Sequence, residues 1–182
     1  HLEHYAFSLQ VVDCETPNRT ECLERVRQRA QCLPVGAWVR GHGWNQNNWS
    51  EGFGSAADLD AVAPQNPVYL TAKSLHASWA NSAALHLAGI TDKTPDPEGG
   101  SIQRDAAGRP TGILLESAVN LVEGILPKPG LEDVARELLN AQKALLQMGI
   151  TAVHDFDRRR CFSALQLLQA REQLHLRVIK GL

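Results

Sequence analysis

The sequence predicts an α/β protein in which an α+β unit (residues 1–126) precedes two βα units (residues 131–182). Short runs of β-forming residues, bounded by proline and glycine, occur throughout the first part of the chain. The run 127–130 holds two prolines and a glycine and marks a break. After it, helix-periodic and strand-like segments alternate with short connections, which is typical of a parallel sheet or a barrel.

Composition and charge exclude two classes of protein. With 182 residues, of which 43% are hydrophobic, the chain can bury a substantial core. The net charge is −2 and the longest basic run is 158–160, so nothing indicates nucleic-acid binding. No apolar run approaches the roughly 20 residues of a membrane span, and no signal peptide is visible. We therefore expect a cytoplasmic protein without nucleic-acid or membrane partners.

The cysteines show no C-x-x-C spacing, which predicts small buried thiols in a reducing compartment. A disulfide or a zinc knuckle is the alternative. The four residues are Cys14, Cys22, Cys32 and Cys161.

Local signals predict the elements of the first unit in chain order. Asn18 begins a helix with one apolar face, and Pro67 leads into a strand. Asn81 caps a helix that ends at Gly89, and a hairpin turns at Gly108. The predicted strands are 38–40, 68–71, 101–104 and 111–115, the predicted helices are 18–33 and 81–89 with a helical turn at 58–62, and 91–100 is an exposed loop.

The second unit has the clearest periodicity in the chain. Apolar residues recur in steps of three and four from Leu131 to Met148, which predicts an amphipathic helix that Gly149 ends. Strands at 150–153 and 176–179 flank a second helix at 162–173. Two strands joined by one helix form a right-handed parallel crossover, so we expect parallel pairing.

Polar and aromatic side chains concentrate in the segment that follows the 68–71 strand. His76, Trp79 and Asn81 lie there, and Trp44 stands in an amide-rich stretch. Loops on rigid scaffolds commonly carry recognition residues, so we expect these side chains around one concavity, near Trp44 or Glu116. The alternatives are core packing for Trp79, helix capping for Asn81 and an ordinary solvated turn around Trp44.

Further candidates stand at the ends of predicted strands. Glu116 follows an apolar strand and is interpreted as a metal ligand, a helix N-terminal charge or a surface residue. His154 and Asp155 end the 150–153 strand, where α/β barrels place catalytic groups, although His154 could instead cap the following helix. The spacing of His1 and His4 alone favours a frayed terminus, because a metal site needs three or four ligands.

Four motifs in order resemble the YtcJ-like branch of the metal-dependent amidohydrolases (amidohydrolase family 3). They are G-x-G-W at 41–44, W-x-N-S-x-A-L at 79–85, D-x-x-G-x-P-T-G-x-L-x-E at 105–116 and G-I-T-x-V-H-D at 149–155. The resemblance implies an incomplete (β/α)8 metal-dependent hydrolase barrel, preceded by an α+β insert that covers the pocket. It implies that His1 is the second histidine of a His-x-His metal motif, with Glu116 as a further metal ligand.

The resemblance also implies catalytic roles for His154, Asp155 and Glu116, and substrate contacts from His76, Trp79, Asn81 and Trp44. Lys73, Ser74 and Leu75 replace the family's commoner Arg, Asp and Gly, and His42 stands where Arg is more usual. These departures bear on the identity of the substrate.

The implied activity is hydrolysis of a C–N bond in a small amide, cyclic amide or similar substrate, with a divalent metal, expected to be zinc, that activates water. A lone ligand cannot hold such a metal, so we expect this chain to be an inactive, metal-free fragment. The alternatives are a ligand-binding or regulatory module on the same scaffold, and a structural interaction domain. Unpaired strand edges predict a homo-oligomer or dimer.

Overall fold

The computed structural model describes residues 2–181. The helices are α1 (Leu2–Ser8), α2 (Arg19–Gln31), α3 (Ala56–Val62), α4 (Ser82–Leu87), α5 (Asn120–Glu123), α6 (Leu131–Gln147) and α7 (Arg159–Ala170). The strands are β1 (Val12–Asp13), β2 (Val39–Trp44), β3 (Val68–Ala72), β4 (Ala77–Ala80), β5 (Gly100–Arg104), β6 (Pro110–Glu116), β7 (Ala152–Asp155) and β8 (Arg177–Lys180). Single 3-10 turns occupy Gln46–Asn48 and Ser117–Val119.

The chain divides into two compact units. The six-stranded unit comprises Val11–Leu126, and the two-stranded unit comprises the residues before Val11 together with those from Pro127 onward. The sequence grouped residues 1–126 together, whereas in the structure α1 packs on α6 of the two-stranded unit. The physical reason is that Leu2 and Ala6 of α1 are buried in that unit's core.

The sheet of the six-stranded unit has the strand order β1-β2-β3-β4-β6-β5. β1, β2 and β3 pair in parallel, and β3, β4, β6 and β5 pair antiparallel. The predicted hairpin is confirmed, because β5 and β6 pair on either side of Gly108, which has the positive φ (80°) that such a turn requires. One expectation was wrong: Ala77–Ala80 forms a strand between two others, where the sequence was interpreted as a turn.

Helix termini in this unit follow their capping residues. Asn18 accepts a hydrogen bond from the Glu21 amide and begins α2. Ser55 and Asp58 form a reciprocal capping box at α3. These two helices pack together and add Val26 and Leu59 to the core of the six-stranded unit.

The two-stranded unit places α1, α6 and α7 around the β7–β8 pair. The strands pair in parallel, with Val153 opposite Val178 and Asp155 opposite Lys180. This confirms the predicted parallel pairing, with the strands one or two residues later than the sequence indicated. Apolar residues of α6 and α7, among them Leu138 and Leu168, form the buried core of the unit.

Two expectations from composition can be compared with the structure. Within residues 2–181, no helix is long and apolar enough to cross a membrane. All four cysteines are free, and Cys14, Cys22 and Cys161 are buried. Cys32 was expected to be buried but is exposed. The reason is that it is the C-cap of α2 and lies beyond the apolar face of that helix.

Candidate functional site

His76 and Glu116 meet at one end of the six-stranded sheet. Nδ1 of His76 lies 2.8 Å from Oε2 of Glu116, and the Glu116 amide donates to the His76 carbonyl at 2.8 Å. The side chains are 71% and 58% exposed, so both are open to solvent. Glu116 has φ 50°, a backbone region that non-glycine residues seldom adopt and that often marks a functional position.

Trp79 and Trp44 are buried core residues of the same unit. The indole N–H of Trp79 donates to the Ser55 carbonyl at 2.8 Å, and that of Trp44 donates to the Leu70 carbonyl at 3.0 Å. Their ring centroids lie 6.4 Å apart with an edge-to-face orientation. Core packing accounts for these contacts, and the substrate contacts implied by the resemblance stay a prediction.

Asn81 is a buried structural link between β3 and α4. Its Oδ1 accepts hydrogen bonds from the amides of Val68 at 2.9 Å and Ala84 at 3.0 Å, and its Nδ2 donates to the Asn66 carbonyl at 2.9 Å. The capping interpretation is therefore confirmed. These three bonds engage both polar atoms of the side chain, so a substrate contact would have to share them.

His154 and Asp155, the two site residues predicted at the end of β7, lie in different environments. His154 is exposed and Asp155 is fully buried, because adjacent residues of a strand point to opposite faces. Oδ1 of Asp155 accepts the Leu2 amide at 2.9 Å, and Oδ2 accepts the ammonium of Lys180. Lys180 also donates to the Asp157 carbonyl. Asp155 is thus part of a buried ion pair between neighbouring strands.

This arrangement shifts two pKa values in opposite directions. Burial by itself raises the pKa of Asp155, but the hydrogen bonds from Lys180 and the Leu2 amide outweigh it and lower the pKa to about 2. Burial, reinforced by the negative charge of Asp155, raises the pKa of the Cys161 thiol to about 12. At neutral pH the carboxylate is therefore ionised and the thiol protonated.

Asp155, Asp157 and Cys161 also form the type of cluster that could hold a metal ion, with ligand atoms within 4.8 Å of one another. The donor set does not fit a catalytic metal here. The Lys180 ammonium already neutralises Asp155, and a thiol ligand must be deprotonated. Neither Asp157 nor Cys161 was predicted as a site residue, although Asp-x-Asp at the end of a strand is a visible signal in the sequence. Of the predicted ligands, His1 lies outside the described residues and Glu116 is paired with His76.

The fold is similar to that of known metal-dependent hydrolases. A metal-dependent hydrolase from Pyrococcus furiosus superimposes with a TM-score of 0.68 at 25% sequence identity, covering 99% of this chain and 35% of that chain. The mixed α/β architecture, with its sheet and packed helices, is thus one found in this class of enzymes.

Sequence relationships identify the family. The family model of Amidohydro_3, the amidohydrolase family, matches residues 1–182, and the chain belongs to this family. It is 42% identical over 163 residues to an N-substituted formamide deformylase of Arthrobacter pascens, and 37% identical over 157 residues to the putative amidohydrolase YtcJ of Bacillus subtilis (strain 168). These alignments cover 85% and 86% of this chain and 30% of each relative. The YtcJ-like resemblance predicted from the motifs is confirmed.

Proposed function

We propose that the chain is one part of a longer metal-dependent amidohydrolase that hydrolyses a C–N bond in an amide, a cyclic amide or a similar small molecule. The observation that carries the proposal is the 42% identity to an N-substituted formamide deformylase, together with membership of the amidohydrolase family. In this proposal the six-stranded unit is the α+β insert. β7 and β8 are then two neighbouring strands of the (β/α)8 barrel.

The chemistry assigned to this chain centres on His76 and Glu116. A carboxylate on Nδ1 fixes the orientation and tautomer of an imidazole, and this leaves Nε2 to bind a polar group of the substrate or to move a proton. Exposure suits a group that must meet a ligand, and the unusual φ of Glu116 holds the carboxylate at the strand end. In the same proposal His154 contributes from the exposed face of β7.

A divalent metal, with zinc the first candidate, would supply Lewis-acid activation of water when bound to the whole protein. His1 and Glu116 are the proposed ligands from this chain, and the remaining ligands would come from elsewhere in the protein. The chain by itself is then inactive. The free thiols fit a cytoplasmic location.

Self-association is a further proposal for the isolated chain. Within residues 2–181, β7 and β8 pair only with each other, so each has one edge without a partner strand. Such edges favour pairing with a second copy. Light scattering of the chain tests this, with a dimer or larger assembly as the expected result and a monodisperse monomer as the contrary one.

The test of function is a hydrolysis screen of the full-length protein, loaded with zinc, against N-formyl amines, N-acyl amino acids and cyclic amides. We expect turnover of at least one class, and a loss of roughly 10²–10⁴-fold in kcat/KM in His76→Gln, the range of general acid–base contributions. Arg109→Gln, which breaks an exposed ion pair with Asp105 in the same unit, is the matched control and should leave kcat/KM unchanged.

The same screen distinguishes a hydrolase from the main alternative, a ligand-binding or regulatory module. If a ligand of these classes binds and His76→Gln weakens its binding, yet the zinc-loaded protein turns over no substrate, the proposed hydrolase is wrong and the ligand-binding or regulatory module is right. If His76→Gln turns over substrate as well as the wild type, the role of His76 is wrong even when the hydrolase assignment stands.

A further inference from the structure

Two residues with an unusual backbone conformation lie on either side of His76. Within residues 2–181, three non-glycine residues have a positive φ: Leu75 (66°), Glu116 (50°) and Glu172 (58°). Glu172 directly follows the C-cap of α7, and its amide donates to the Gln169 carbonyl at 3.1 Å, so its conformation ends a helix in the usual way. Leu75 and Glu116 end no helix. The first precedes His76 directly, and the amide of the second donates to the His76 carbonyl.

The connection between β3 and β4 accounts for the conformation of Leu75 but not for the leucine. The Leu75 amide donates to the Ala72 carbonyl at 3.1 Å and closes a turn over Lys73 and Ser74. Hairpin turns of this kind commonly end with one residue in the left-handed conformation. Glycine and asparagine adopt it readily, whereas the Cβ of a leucine lies too close to the following carbonyl oxygen. The side chain at this position is therefore held under strain.

Packing of the Leu75 side chain does not offset this strain. The residue is 63% exposed, and all four residues of 73–76 are exposed, so its apolar surface contributes little to folding. Strain that the surrounding fold does not explain is concentrated at functional positions. An isobutyl group offers a ligand apolar contact and nothing else, so a function for Leu75 requires a ligand with an apolar group.

The neighbouring side chains define the kind of ligand. Nδ1 of His76 lies 2.8 Å from Oε2 of Glu116, and the proposed function assigns this imidazole to a polar group of the substrate. The Cα atoms of adjacent residues lie about 3.8 Å apart, so an alkyl chain of a few carbons on a molecule held by His76 is long enough to contact Leu75. Lys73 is already paired with Glu15, which favours an uncharged chain over a charged one.

We propose that Leu75 determines specificity: it binds an uncharged alkyl substituent of an amide whose polar group is held by His76. The inference rests on the proposed function and adds to it the class of substrate, amides that carry an extended alkyl chain. Leu75 takes no part in the chemistry, because its side chain neither donates nor accepts a proton. It binds the substrate and the transition state alike, so its contact lowers KM and leaves kcat to other residues.

Four variants of the full-length, zinc-loaded protein test this role. Leu75→Ala removes most of the apolar side chain and keeps the backbone strain. Leu75→Asn removes the apolar surface and relieves the strain. Leu75→Met keeps an apolar side chain of similar size. Leu87→Ala, which shortens another exposed leucine of the same unit, is the matched control.

The first measurement is kcat/KM for one parent amide and two extended amides. N-methylformamide is the parent, N-hexylformamide carries the longer chain on nitrogen, and N-methylheptanamide carries it on the carbonyl carbon. Burial of one methylene group changes an equilibrium constant about fourfold. Loss of contact with about two such groups should lower the ratio of extended to parent amide by about 10–20-fold in Leu75→Ala and Leu75→Asn, through KM. Leu75→Met and Leu87→Ala should keep the ratio within about fourfold. The extended amide that responds identifies the side of the amide that faces Leu75.

Two further measurements do not depend on turnover. The methyl NMR signals of Leu75 should shift when the responding extended amide is added to the wild type, and the same amide should bind more weakly to Leu75→Ala. Leu75→Asn should raise the urea concentration at the midpoint of unfolding, because it relieves strain and removes little packing. A midpoint lowered in both Leu75→Ala and Leu75→Asn would show that Leu75 packs against another part of the full-length protein, which overturns the inference.

The outcomes separate the inference from the function beneath it. If the wild type and Leu75→Ala hydrolyse parent and extended amides in the same ratio, the inference is overturned and the hydrolase proposal stands. If an extended amide shifts the Leu75 methyl signals and binds more weakly to Leu75→Ala, yet no amide is hydrolysed, the alkyl site stands and the hydrolase proposal is wrong. If neither extended amide binds or reacts better than N-methylformamide, the inference is overturned, whichever other amides the protein hydrolyses.

Discussion

Acid should destabilise the two-stranded unit through a single buried carboxylate. The hydrogen bonds of Asp155 lower its pKa from the ordinary 3.8 to about 2, so the folded state binds its proton less readily than the unfolded state. The stabilisation is complete above about pH 4 and is lost as the pH falls through about 2. At about 1.4 kcal/mol per pH unit, the shift of this pKa corresponds to about 2 kcal/mol.

The perturbation is acidification of the wild type compared with Asp155→Asn/Lys180→Met, which has no titrating group at this position. Urea unfolding between about pH 6 and about pH 2 gives the free energy of unfolding at each pH. NMR signals of Leu138 report the two-stranded unit. Tryptophan fluorescence reports the six-stranded unit as an internal reference, because all four tryptophans lie within Val11–Leu126.

We expect the wild type to lose about 2 kcal/mol more than the variant over this range at the Leu138 probe. Glu172→Gln, which removes another exposed carboxylate of the same unit, should keep the pH dependence of the wild type. The reasoning is refuted if the Asn/Met variant and the wild type lose stability in parallel, since the carboxylate of Asp155 would then titrate alike in the folded and unfolded states.

Three further predictions concern the energetics of the fold and are measured by urea unfolding. Gly108→Ala should lower the free energy of unfolding by about 1–2 kcal/mol, because of the positive φ alone, since nothing lies within 4 Å of a Cβ at this position. Gly112→Ala should cost at least about 2 kcal/mol more, because a Cβ there would lie 2.5 Å from a backbone oxygen of β4. Equal costs would contradict this. Leu138→Ala in the buried face of α6 should cost about 2–5 kcal/mol, and Leu131→Ala at the exposed start of the same helix about 0.5 kcal/mol. Asn81→Ala should cost about 3 kcal/mol, because it leaves two amides and one carbonyl unsatisfied in the core; a cost near zero would show that water replaces the side chain.

The sequence by itself determined the features that depend on neighbouring residues. The periodicity of α6, the cap of α2 at Asn18 and the turn at Gly108 are local signals, and each was predicted where the structure has it. The parallel pairing of β7 and β8 followed from the general geometry of a crossover helix. The family also followed from the sequence, because four short motifs occur in a characteristic order.

Only the tertiary structure decided where the predicted site residues lie. The strand that carries Trp79 is fixed by its pairing with β3 and β6, so an aromatic residue interpreted as lining a turn is buried in the core. Asp155 is separated by 153 residues from the amide that it accepts, and no local pattern encodes such a contact. Whether a polar residue contacts solvent, substrate or a buried partner depends on which distant residues the fold brings to it, and chain order alone does not contain that information.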